Sequence, residues 1–346
     1  MRAAHRVNDF LLTDPVRIAA VAIVTVLAAL CVFLPTNVAH AQSAPELLPY
    51  EPDDDWARLP GGRPWGAPTG VEMDPDQRHV WVLERCGDYN GPGCAESDLP
   101  AIMKFDASGR LIQSFGSGMF NYPHGLAVDY EGNVYVTDGR DGGGKGHTVL
   151  KFNPSGELVL TLGQPGVAGE DRYVLNRPSD VAVARNGDIF VADGHSGMDT
   201  NMRIVKYSSE GTFIKEWGTK GSAPGQLNGA HGLAFDSRGR LFVADRENRR
   251  VQIFDQDGGY LDAWTQFGAP SGLFISPDDV LYVADLSQGI RIGSARDGTL
   301  SAHIVAPEPA GGGTPRVAES VAVDALGNLY AGENAGMKLL KFPAGR

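Results

Sequence analysis

The sequence predicts an all-β fold, a six-bladed β-propeller, from a repeat, its spacing and the turn chemistry inside it. The repeat is clearest from Asn121 to Asp138, NYPHGLAVDYEGNVYVTD. It reads as a Pro-His-Gly turn, a short alternating strand (Leu126, Val128), a polar turn at Gly132 and a second strand (Val134, Val136) ending on Asp138. The pattern returns at Pro68, Pro178, Ala230, Pro270 and Ala318, so six copies lie 40 to 55 residues apart. A period of that length made of short strands marks a propeller, one blade per copy. Gly-containing turns between third and fourth strands (Ser108-Gly109, Ser155-Gly156, Glu210-Gly211, Asp257-Gly258, Asp297-Gly298) supply the hairpin geometry each blade needs.

Along the chain, the first element is a targeting segment. Arg2, Arg6 and Arg17 precede an apolar run from Ile18 to Leu34, and Ala39-His40-Ala41 offers the small-x-small pattern of a signal-peptidase site. Residues 1–41 are therefore expected to be a signal peptide and the protein exported, to the periplasm or the extracellular space. The alternative is a retained membrane anchor, since a run of this length just spans a bilayer. Residues 42–63, rich in Pro and Asp, read as a linker or arm, and residues 64–346 as the propeller.

Export bears on the cysteines. Cys86 and Cys94 flank a Gly/Pro-rich loop, LERCGDYNGPGC, and in an oxidising compartment are expected to pair. A metal pair would call for C-x2-C spacing and a second pair. Blade 1 then adds AIMKFD and RLIQSFG, blade 2 TVLKFN and ELVLTLG, blade 3 RIVKYS and TFIKEWG, blade 4 RVQIFD and YLDAWTQ, and blade 5 GIRIGS and TLSAHIV. Blade 6 ends at KLLKFPAGR, with no fourth strand. An open edge is a liability, so part of the segment before Pro68 is expected to close the ring there. The formal net charge of -12 argues against nucleic acid as a partner. Once the leader is cleaved no membrane association is expected, and the protein is expected to be a monomer.

Equivalent positions in six blades are related by rotations of ~60° about the channel axis, and those just before the first strand gather at the channel mouth. The second position of each repeat reads Thr69, His124, Ser179, His231, Ser271, Glu319. Blades 1, 3 and 5 carry small hydroxyls; blades 2, 4 and 6, ~120° apart, carry two imidazoles and a carboxylate that would converge on one point. That donor set with an open outward position suits a catalytic zinc ion, ahead of iron or manganese. Pro-His-Gly is also an ordinary turn in propellers that hold no metal. Arg85 and Arg246 end second strands at the same rim, where a guanidinium fork suits a substrate carboxylate, although Arg246 has Asp245 and Glu247 beside it. His195 ends the second strand of blade 3 and is a candidate proton-transfer group.

The repeat HGLAFDSRGRLFVADRENRRVQIF resembles the NHL repeat. With LERCGDYNGPGCAESDL, YPHGLAVDYEGNVYVTD, RPSDVAVARNGDIFVADG and VADREN, the mature chain is similar to bacterial relatives of peptidyl-α-hydroxyglycine α-amidating lyase. The resemblance implies a six-bladed propeller with zinc at its centre and calcium in the channel, splitting a C-terminal α-hydroxyglycine into a peptide amide and glyoxylate. It places two zinc histidines at His124 and His231, the functional arginines at Arg85 and Arg246, and calcium-binding backbone carbonyls at Val71 and Leu126. Three positions depart from the family. Glu319 stands for the third zinc histidine, Ser320 for the adjacent calcium-binding aspartate, and His195 for the catalytic tyrosine. The expected substrate is small and carboxylate-bearing, or a peptide. Competing expectations are a related metal-dependent hydrolase, a non-catalytic propeller binding a peptide or protein, and a lactonase-like enzyme with one channel calcium. His124 and His231 speak against the last, which would use acidic and amide ligands.

Overall fold

Six antiparallel sheets follow one another along the chain, each starting at one copy of the repeat. The computed structural model describes residues 44–90, 93–195, 200–307 and 318–345, all within one unit, residues 42–346. The signal peptide expected over residues 1–41, and the anchor alternative to it, lie outside the described residues. Among the described residues no helix is long and apolar enough to cross a membrane.

A short strand β1 (Glu46–Leu48) precedes the blades. Blade 1 consists of β2 (Pro68–Met73), β3 (Val80–Glu84), β4 (Ile102–Phe105) and β5 (Leu111–Phe115), and blade 2 of β6 (Pro123–Val128), β7 (Val134–Asp138), β8 (Thr148–Phe152) and β9 (Leu158–Leu162). Blade 3 is β10 (Pro178–Val183), β11 (Ile189–Asp193), β12 (Arg203–Tyr207) and β13 (Phe213–Trp217); blade 4 is β14 (Ala230–Phe235), β15 (Leu241–Asp245), β16 (Arg250–Phe254) and β17 (Tyr260–Trp264). Blade 5 is β18 (Pro270–Ile275), β19 (Val280–Asp285), β20 (Gly289–Ser294) and β21 (Leu300–Val305), and blade 6 is β22 (Ala318–Val323), β23 (Leu329–Glu333) and β24 (Lys338–Phe342). First strands of successive blades pack side by side, and β2 against β22 completes the circle. The protein is thus the six-bladed, all-β propeller that the repeat predicts.

The core lies between blades rather than within any one. Trp81 and Leu83 of blade 1, for example, pack with Val134, Val136 and Phe152 of blade 2. Burying both faces of each sheet is what makes the second strands near-continuous apolar runs. In blades 2 to 5 each such run ends in an acid that ties down the loop before the first strand. Asp138 accepts the Asn121 and Tyr122 N–H groups, Asp193 that of Asn176, Asp245 that of Asn228 and Asp285 that of Ala269. These loops lead straight into the second repeat position, so the buried carboxylates are what set the heights of the channel-mouth residues.

The arm closes the ring differently from the expected fourth strand of blade 6. β1 instead adds in parallel to β21, at the outer edge of blade 5, pairing Leu47 with His303. Blade 6 keeps three strands and receives a single antiparallel bridge, with Asp53 and Lys341 exchanging both backbone hydrogen bonds (2.7 and 3.0 Å). Among the described residues, backbone pairing with β24 stops at that one residue of the arm. Side chains do the rest. Trp56 packs at a tilt against Tyr330 of blade 6 (4.8 Å between centroids) and donates from Nε1 to the Ala107 carbonyl of blade 1. Trp56→Ala is expected to cost about 2 kcal/mol, roughly 4–8 °C in melting temperature, checked by thermal denaturation.

Cys86 and Cys94 form a disulfide, Cα–Cα 5.0 Å. The loop that it closes lies beside the residues of the channel mouth described next.

Candidate metal centre

The rotational argument from the sequence places His124, His231 and Glu319 at the start of β6, β14 and β22, and the structure brings them together. Glu319 Oε1 lies 3.3 Å from His231 Nε2 and 3.8 Å from His124 Nε2. All three residues are buried, at 4%, 4% and 8% exposure. His195 joins them from the loop after β11, its Nε2 3.3 Å from His124 Nε2. The ligand nitrogens of His124, His195 and His231 all lie within 4.8 Å of one another. Gly194, at φ 138°, and Thr200 shape that loop. A Cβ on Gly194 would run into the Asn201 carbonyl, while Thr200 Oγ1 accepts the His195 N–H.

The hydroxyl positions of the alternate blades hold the histidines in place. His124 Nδ1 lies 2.7 Å from the Ser179 carbonyl, which only accepts, so Nδ1 carries the proton and Nε2 turns its lone pair to the centre. Ser271 Oγ meets His231 Nδ1 at 3.2 Å, and Thr69 donates to the Pro123 carbonyl just before His124. Burial first, then the neighbouring His195 and Arg85 charges, holds His124 well below the usual imidazole range. Burial and Arg246 do the same to His231. Both rings are therefore neutral and ready to donate lone pairs.

The residues fit a zinc-type ion. His231 Nε2 is buried and has no hydrogen-bond partner among the described residues, an unmet polar atom aimed at a carboxylate and two imidazoles. Donors held at ~2.1 Å by one tetrahedral ion lie roughly 3.4 Å apart, close to the two 3.3 Å separations seen here.

Below the cluster the channel opens into a cavity of about 430 Å³. It is lined by Val71 and Leu126, and by two acids that the sequence reading missed, Glu72 and Asp180. Burial pushes the Glu72 carboxyl up to about 7 and that of Asp180 to about 8, although each accepts backbone N–H bonds. Ser320 Oγ, at the position where the resemblance expects an aspartate, has no hydrogen-bond partner among the described residues. A signal for Asp180 was present in the third repeat position, Gly70, Gly125, Asp180, Gly232, Gly272, Ser320. Here first strands crowd together, and a Cβ on Gly125 would lie 2.4 Å from Asp180 Oδ1 and one on Gly232 2.5 Å from the Ser271 carbonyl. A side chain in this slot has only the channel to enter.

Asp180 gives a pH prediction. Its carboxyl titrates near 3.8 when free and near 8 when folded, so between these values the native state holds a proton that the unfolded chain has released. Stability therefore falls as pH rises through that window. Glu72 acts in the same sense up to about 7. Urea unfolding of EDTA-treated protein is expected to give lower stability at pH 8 than at pH 5, with a shallower fall in Asp180→Asn.

Arg85 reaches the mouth as expected, 2% exposed, with Nη1 donating to the Tyr89 carbonyl and its guanidinium carbon 3.8 Å from the Tyr122 ring centre. Arg246 Nε lies 3.5 Å from Glu247 Oε1, so the neighbouring acid does engage it, and its charge is felt by both His124 and His231. Tyr122, whose ring centre is 6.2 Å from that of His124, was not singled out by sequence reasoning. The remaining histidines stand apart. His147 Nδ1 accepts the Arg177 N–H, and His79 pairs with Asp76 at the surface.

Fold and site together define a six-bladed propeller with a histidine-rich centre at its channel mouth. The NHL repeat family matches residues 120–152, 175–207 and 227–254, which fall in blades 2, 3 and 4. Among characterised sequences, the chain is similar to NHL repeat-containing protein 3 of Homo sapiens, 36% identical over 201 residues, 55% of this chain and 56% of that one. It is also similar to peptidyl-alpha-hydroxyglycine alpha-amidating lyase 1 of Drosophila melanogaster, 36% identical over 191 residues, 49% of this chain and 31% of the relative. The matches thus span less than two thirds of these relatives' own length. A solved gluconolactonase from Xanthomonas campestris shares the fold, with a TM-score of 0.58 at 17% identity over 88% of this chain and 99% of that one.

Proposed function

We propose that this chain is an exported, zinc-dependent carbon–nitrogen lyase of the peptidyl-α-hydroxyglycine α-amidating type. It would cleave a carbinolamide R–CO–NH–CH(OH)–COO⁻ into the amide R–CO–NH₂ and glyoxylate. The observation that carries this reading is the convergence of His124, His231 and Glu319 with His195 at the mouth of the channel. Relatives of about 36% identity named as amidating lyases support it.

His124, His231 and Glu319 would hold the ion, with His195 as the outermost donor while no substrate is bound. A zinc ion there supplies Lewis acidity toward the substrate hydroxyl and carboxylate oxygens. Arg85 and Arg246 take the substrate carboxylate and steady the charge that develops beside it. His195 is half-buried where the other three donors are buried, so it is the donor that a substrate meets first. In this reading its nitrogen accepts the hydroxyl proton as the carbon–oxygen double bond forms and the carbon–nitrogen bond breaks. The proton then passes to the departing amide nitrogen, so the reaction consumes no other reagent. In the channel, Glu72, Asp180 and the carbonyls of Val71 and Leu126 offer only oxygen donors, the type that calcium prefers, and would hold the second ion in place of the missing aspartate.

The test is metal analysis of the purified protein followed by an assay of glyoxylate release from α-hydroxyhippurate. One tightly held zinc and glyoxylate formation are expected. Metal-free protein without turnover would leave the non-catalytic binding propeller as the reading.

A further inference from the structure

We propose that the channel mouth carries a second anion-binding subsite, in which Arg140, stacked on Tyr122 opposite Arg85, takes a second acidic group of the substrate. The inference deepens the lyase reading, on which it rests for the position of the first carboxylate. It assigns the substrate to the class of small dianions, acidic at the carbinol carbon and again on the amide half.

The two guanidinium carbons lie 3.8 Å (Arg85) and 3.7 Å (Arg140) from the centre of the Tyr122 ring, which is thus sandwiched between cations. Elsewhere in the propeller, arginines at the start of third strands are matched to the buried acids that end second strands. Arg203 pairs with Asp193, Arg250 with Asp245 and Arg291 with Asp285, at 2.7–2.8 Å. Among the described residues, Arg85 and Arg140 have neutral acceptors only. Arg85 bonds the carbonyls of Pro123 and Tyr89, and Arg140 bonds Asn90 through its carbonyl and Oδ1, both at 3.2 Å. Arg140 Nε is buried without a hydrogen-bond partner among the described residues. Arg85 feels the Glu319 carboxylate as well as Arg140, and Arg140 has no carboxylate hydrogen-bonded to it among the described residues, so an incoming anion relieves the pair of like charges. Arg177 adds to the field, since Arg140 and Arg177 feel one another's charge.

The stacking suits a receptor. A guanidinium that lies flat on an aromatic face spends its face on the ring and keeps its in-plane N–H groups for a carboxylate. The disulfide loop braces the arrangement, because Asn90, between Cys86 and Cys94, also accepts from the Tyr122 hydroxyl at 2.8 Å. Tyr122 in turn lies next to His124, which puts this subsite beside the donor cluster.

Binding of succinate, glutarate and adipate, each compared with its monomethyl ester, tests this by calorimetry on the zinc-loaded protein. The best dicarboxylate is expected to bind ~10-fold or more tightly than its own monoester, the gain from one charge-assisted pair. In Arg140→Gln that ratio is expected to fall toward one. In Arg140→Lys, which keeps the charge but loses the fork, it should lie between the two, and this variant carries the test if Arg140→Gln does not fold. A wild-type ratio near one, no binding of any dicarboxylate, or a ratio that survives in the variants would overturn the subsite. The readout needs no turnover, so absence of glyoxylate release would sink the lyase reading while leaving the ratio to judge the subsite.

Discussion

Purified His124→Ala/His231→Ala protein is expected to contain no zinc by elemental analysis, where the wild type is expected to hold one ion per chain. Each histidine is buried and neutral, and together they supply two of the three buried donors. Glu319 and His195 cannot replace them, because two donors fall short of the three protein ligands that an open zinc site keeps. Loss of the ion removes its stabilisation of developing charge, several kcal/mol, so turnover should fall by ~10³-fold or more. The double variant should also melt near EDTA-treated wild type, since an ion that binds only the folded state stabilises it by mass action. Full zinc occupancy in the variant would remove the centre from His124 and His231.

His195→Ala is expected to separate proton transfer from metal binding. Zinc stays with His124, His231 and Glu319, while kcat falls ~10²–10⁴-fold, the usual contribution of a positioned proton-transfer group. The cobalt-substituted protein gives a readout that does not depend on turnover. Its visible absorption should change in His195→Ala, because the nitrogen 3.3 Å from His124 Nε2 leaves the donor set. An unchanged spectrum together with an unchanged kcat would exclude His195 from the centre altogether.

Much of this site can be read along the chain because a propeller converts sequence period into rotation. His124, His231 and Glu319 are separated by 107 and 88 residues, yet the slot they share in the repeat is visible by eye. Asp180 was equally visible, as a departure from glycine in the next slot, and was missed because the steric reason for that glycine appears only when first strands meet. The Tyr122 stack leaves no comparable trace. Arg85, Tyr122 and Arg140 come from two blades and lie outside the repeated slot, so no periodic pattern links them.

The arm shows the same division. Its prolines foretold irregular chain, but whether it would finish blade 6 or run along blade 5 depended on where open edges lay within reach. From its residues alone, this chain determined the number of blades, the order of strands and the ring of donor positions, because each is written once per repeat and enforced by local hydrogen bonding and alternation. Tertiary structure alone decided which edge the arm covers, how near His195 comes to His124 and what stacks on Tyr122. Those contacts join segments with no common period, and only packing in three dimensions fixes their distances.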